Sequence, residues 1–147
     1  MDMLDLGLAK DRLAANAPSL RNIGYAADFN AAMQPGAVIA SPSAFVLITG
    51  EEWIPPRDAS APMRQSANIT VSVLVAVKLA GPLGANGLAA LEQPVREARL
   101  AMFAWHHPDA EGPFALSGGG IEDFNGQTGV LLYRLDFTAL AKIQETL

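Results

Sequence analysis

From Ile69 to Leu79 the chain alternates without a break. Ile69, Val71, Val73, Val75, Val77 and Leu79 share one parity, while Thr70, Ser72, Leu74, Ala76 and Lys78 share the other. A period of two held this long predicts a strand with one face on a core. At about 3.3 Å per residue it would extend roughly 36 Å, about twice the usual strand length. Ala44 to Thr49 is a second β-prone run, bounded by Pro42 and Gly50. Toward the C-terminus, Phe114–Leu116, Ile121–Phe124 and Val130–Ala139 read as strands, with a hairpin at Asn125-Gly126 between the last two.

The helical period marks other segments. Met3 to about Ala17 carries Leu4, Leu8 and Ala15 near a 3.6 spacing, with Asp2 as N-cap and Pro18 as stop. Arg21 to Tyr25 reads as a turn or brief strand, and Ala26 to Met33 as a short helix stopped by Pro35-Gly36. Leu88, Leu91, Val95, Ala98 and Met102 step by threes and fours, marking an amphipathic helix. Pro94 falls inside it. The stripe stays in phase across the proline, which favours one kinked helix, and Glu92 and Arg96 form an acid-first i,i+4 pair. These elements predict a single α+β domain over residues 1–147, a mixed or antiparallel sheet packed with two or three helices.

Two departures from pattern bear on function. Leu74, Ala76, Val130 and Leu132 sit on the parity that should be polar, before Arg134, Asp136 and Thr138 restore polarity. An antiparallel sheet with one wet face alternates cleanly, so something apolar covers part of this second face, either a helix of the chain or a neighbouring subunit. The other departure is the stretch of about 51–66. Pro55, Pro56 and Pro62 with small polar residues leave it little to bury, which predicts a mobile loop between two strands.

Composition narrows the class. The chain has 147 residues, half of them apolar and 17% charged, enough for a core without staples. Cysteine is absent, which removes disulfides, thiolate metal sites and a cysteine nucleophile. The opening Met1-Asp2-Met3-Leu4-Asp5 is acidic, unlike a secretory leader, and no apolar run approaches the ~20 residues of a membrane span. The net charge is -5, and Lys and Arg form no basic stripe, so no specific nucleic-acid binding is expected.

Candidate chemistry is thin. His106-His107 lacks a carboxylate at ligand spacing and reads as a cap on the preceding helix C-terminus. Gly118-Gly119-Gly120 lacks the Lys-Ser/Thr of a phosphate-binding loop and reads as a glycine-rich bend or bulge. Glu51-Glu52 and Glu122-Asp123 are adjacent pairs whose members face opposite ways on a strand, as solvated turn residues do. No serine lies in a Gly-x-Ser-x-Gly context, and Trp53 and Trp105 read as core, rim or interface anchors. No catalytic constellation assembles, so no catalytic, cofactor or metal residues are assigned.

The C-terminal half carries a resemblance. A helix ends in Leu100-Ala101-Met102-Phe103-Ala104-Trp105, followed by His106-His107-Pro108, Pro113-Phe114-Ala115-Leu116, Gly119-Gly120-Ile121-Glu122 and the strand Leu132–Thr138. Tyr25-Ala26-Ala27-Asp28 and Pro42-Ser43-Ala44-Phe45-Val46 agree in the N-terminal half. Together they resemble the tail terminator (tail completion) proteins of long-tailed bacteriophages and prophages. Ala104-Trp105-His106-His107-Pro108 departs from the Gly-Trp and single spacer more common there.

The resemblance implies a virion tail protein, assembled in the bacterial cytoplasm without cofactor or metal. It implies a homo-oligomeric ring, a hexamer, that caps the tail tube, ends its polymerisation and presents a surface to head-tail connector proteins. The alternatives are another head-tail connector or tube component, or a small thioesterase-like α+β hydrolase. Residues expected to meet a partner are Trp53, Ile54, Arg57, Met63 and Arg64 around the loop, and Leu74, Val130 and Leu132 on the mixed sheet face. No membrane partner is expected.

Overall fold

The computed structural model describes residues 4–56, 63–79, 85–126 and 128–145. In chain order its elements are α1 (Leu6–Asn16), β1 (Asn22–Gly24), α2 (Ala26–Ala32), β2 (Ser43–Trp53), β3 (Met63–Lys78), α3 (Ala85–Met102), β4 (Ala115–Asn125) and β5 (Val130–Glu145). The strands form one mixed sheet in the order β1-β2-β3-β5-β4, as the α+β reading requires. Only the β1–β2 pair is parallel. With α1 and α3 on one face and α2 on the other, the sheet is the middle layer.

The alternation in β3 decides the layering. Ala67, Ile69, Val71, Val73, Val75 and Val77 all face the helix pair and are buried. Leu131, Leu135, Phe137, Ala139 and Ala141 of β5 extend the same surface, and Leu91, Val95, Ala98 and Met102 of α3 close over it. Each fully buried large side chain of this kind contributes about 1.5–3 kcal/mol. That outweighs the ~3 kcal/mol cost of Pro94 in a helix interior. α3 therefore runs through the proline as one helix, from Ala85 to Met102. Leu88, expected on the buried stripe, is exposed instead. Glu92 and Arg96 are not among the ion pairs of the described residues.

Several boundaries move. Asp5, not Asp2, caps α1, its carboxylate accepting from the Gly7 N–H at 2.8 Å. The helix buries Ala9 and Leu13 rather than Leu8 and Ala15, which sets the inward face one residue from the expected stripe. β3 has 16 residues and reaches roughly 53 Å, since its first residues are held by backbone pairing with β5 where no apolar alternation marks them. For the same reason the expected loop over 51–66 shrinks. Glu51, Glu52 and Trp53 still pair with Ile69, Asn68 and Ala67, and residues 63–66 are already strand. Residues 57–62, and with them the question of mobility, lie outside the described residues.

β4 is one strand through the three glycines. Its pairing with β5 shifts register between Leu116 and Gly118 and again between Ile121 and Asp123, so the bulge reading holds but within the strand. A Cβ on Gly119 would sit 3.0 Å from the Arg134 carbonyl oxygen, and the bare backbone allows that approach. The β4–β5 hairpin turns after Asn125, whose carbonyl accepts from Gly129 N–H at 2.8 Å. Gly129 has φ +73°, a conformation that favours glycine.

Candidate assembly surfaces

The second sheet face divides into two zones. At one end α2 lies on a small cluster of Phe45, Leu74, Ala76, Val130 and Leu132, with Phe29, Ala32, Met33, Ile39 and Leu47 at its margin. Phe29 meets Phe45 edge-on at 5.5 Å. α2 is short but well started, since the Asp28 carboxylate accepts from the Tyr25 N–H at 2.8 Å. The apolar residues that broke the alternation are thus covered by a helix of the chain itself. Leu74, Val130 and Leu132, expected at a subunit contact, are buried beneath it.

The rest of that face is a hydroxyl and carboxylate network. Ser72 donates to Asp136 Oδ1 at 2.6 Å, which uses its single proton, so Thr49 is the donor in the 2.7 Å bond to Ser72. By the same count Thr70 donates to Thr138 at 3.4 Å, Thr138 to Ser117 at 2.8 Å, and Ser117 to the Asp136 carbonyl at 3.3 Å. Arg134 spans the top, its Nε on Asp136 at 3.0 Å and its Nη1 on Glu122 at 2.7 Å. The chain of bonds crosses β2, β3, β5 and β4 and satisfies that surface without a covering helix.

The two histidines have structural partners beyond the helix end. α3 stops at Met102, Ala104 turns with φ 61°, and the imidazoles follow in the connection to β4. His107 is 1% exposed. Its Nδ1 accepts from the Asp109 N–H at 3.0 Å, so Nε2 carries the proton and donates to the Asp5 carbonyl at 2.8 Å. Trp105 packs edge-on to His107 and stacks on Phe114. The expected helix-cap role is replaced by a tie between the start of α1 and the segment before β4. A C-terminal cap would need the ring beside the last carbonyls of α3, and the turn at Ala104 carries the chain away.

Around the former loop, Trp53 is half-buried, with its indole N–H donated to Glu51 at 3.1 Å. Ile54 is 42% exposed, and its N–H is held by the Ser66 carbonyl. The backbones of Met63 and Arg64 pair with Glu145 and Gln144. Arg57 lies outside the described residues.

Most of the exposed apolar side chains are residues that were not expected at a contact. Seven large apolar side chains of the described residues are exposed: Val38, Ile54, Leu88, Leu100, Phe103, Leu116 and Ile121. Five of them lie on α3, just after it, or on β4. Beside them a groove of about 590 Å³ runs between α3 and Tyr133, lined by Leu88, Leu91, Val95, Arg96 and Arg99. The Arg99 Nε is buried there without a hydrogen-bond partner among the described residues. An unmade donor of this kind costs about 1–3 kcal/mol. The signal in the sequence was there in part: Arg96, Leu100 and Phe103 recur at helical spacing on the face opposite the buried stripe. Two smaller hollows of about 260 and 360 Å³ flank the connection around Val38. β4 is a sheet edge, though its two register shifts blunt it as a template for another strand.

Among the described residues no three His, Cys, Asp or Glu side chains gather as a metal site, and no helix is long and apolar enough to cross a membrane. A sequence model of the family described as "Phage tail terminator protein" matches residues 1–146. No protein with a curated description matches the chain. Among solved structures, a chain of the "Virion of native gene transfer agent (GTA) particle" is similar with a TM-score of 0.57. The match covers 92% of each chain at 14% identity, a likeness of fold.

Proposed function

The chain belongs to the phage tail terminator family, and from that premise we propose that it forms a closed homo-oligomeric ring, a hexamer, on the end of a finished tail tube. There it ends polymerisation and offers its outer side to head-tail connector proteins. The family makes it a structural component of the phage tail, and the family match over residues 1–146 is the observation that carries the proposal. The exposed apolar residues of α3 and β4 support it, because a closed ring covers such surfaces without runaway growth. A net charge of -5 suits a ring through which DNA slides without adhering. The test is genetic and visual. A phage or prophage lacking this chain should make tails of irregular length, and supplying the chain should restore one length and head joining. Uniform, head-joined tails without it would overturn the proposal.

A further inference from the structure

Resting on the ring reading, we infer that the subunit contact is head-to-tail. The acidic end of β2, Glu51 to Ile54, seats in the groove between α3 and Tyr133 of the next copy. The two surfaces match in charge and in kind. Glu51 and Glu52 are exposed carboxylates on opposite sides of this strand end, Glu51 beside Trp53 and Glu52 on the side of half-exposed Ile54, with no cation in that segment. The groove offers exposed Leu88, and Arg96 and Arg99 against one carboxylate, Glu92. The Arg99 Nε is the buried donor still without a partner among the described residues, so an incoming carboxylate has a bond to complete.

The fold keeps these surfaces apart within one subunit. Glu51 pairs with Ile69 on one side of β3, while Tyr133 pairs with Val75 on the other. Six residues of strand separate the two positions, roughly 20 Å. The contact therefore joins different patches of two copies, and a contact of that type closes into rings when its rotation permits.

Charge reversal tests this on the full chain, by sedimentation across a wide concentration range with and without tail-tube protein. Glu51→Arg/Glu52→Arg and Arg96→Glu/Arg99→Glu should each weaken self-association at least tenfold while keeping the circular dichroism of the parent. Mixed in equal amounts, the two variants should assemble again. Each variant's altered patch then meets its complement on the other, and an even-numbered ring alternates. If the parent assembles and the variants assemble equally well, or if mixing restores nothing, this contact is wrong and the ring reading stands. A parent that stays monomeric throughout, tube protein included, overturns both. Should Arg96→Glu/Arg99→Glu fail to fold, Leu88→Asp and Ile54→Asp replace the reversal, and unchanged assembly in both refutes the contact.

Discussion

On the side of the sheet beneath α1 and α3, β3 presents Ala67 to Val77 as an unbroken buried apolar row. On the other side the same strand presents Ala76 and Leu74 beneath α2, then Ser72 and Thr70 in a hydrogen-bonded polar row. The first side is held by area removed from water, and the second half by that and half by side-chain bonds. A buried apolar surface tolerates little loss, because neighbours fill a cavity only in part. In the polar row Ser72 is buried, but its partners Thr49 and Asp136 reach solvent, so water can replace the bond that is lost.

Leu131 and Leu132 put that difference to the sharpest test, being adjacent and on opposite sides. Leu131→Ala should cost about 4 kcal/mol in urea unfolding and Leu132→Ala about 2, since the seven-residue α2 can settle onto the gap. Equal losses would mean that α2 packs as rigidly as the helix pair. His107→Ala should cost about 1–3 kcal/mol, because it strands the buried Asp5 carbonyl and removes a ring packed on Trp105. Exposed His106→Ala should stay within about 0.5 kcal/mol. A pair of matching thermal melts would place His107 outside the core. In the polar row, Ser72→Ala should cost about 1 kcal/mol, read by the same denaturation. A loss above about 3 kcal/mol would show that the row acts as a core.

The frame was legible where apolar periodicity was strong, in β3 and the stripe from Leu91 to Met102, and where turn residues marked it, at α2 before Pro35-Gly36 and at the hairpin after Asn125. Even the imperfect alternation at Leu74 and Leu132 was informative, although it left open whether a helix or a subunit covers it. What escaped were features set at a distance. Glu51, Glu52 and residues 63–66 are strand because backbone partners lie beside them, and their polar side chains carry no sign of it. His107 faces a carbonyl 102 residues away, a separation that no local pattern encodes. Leu88 belongs by spacing to the buried stripe, yet it is exposed at the first turn of α3. The contact surface was sought around the 51–66 loop and on the second face. In the structure the exposed large apolar side chains lie mostly on or just after α3 and on β4, with Ile54 of the 51–66 stretch among them.

β5 lies inside the sheet, between β3 and β4, though it comes last among the elements of the chain. During synthesis at the ribosome, β3 therefore waits with one edge unpaired until β5 has emerged, and α1 and α3 have only part of a surface to settle on. Folding of this domain cannot proceed piecemeal from the first residue, because contacts at long sequence separation close the sheet last. A nascent chain stalled before Val130 would expose the most apolar strand of the molecule to its neighbours. The final strand thus completes the sheet in a single late step.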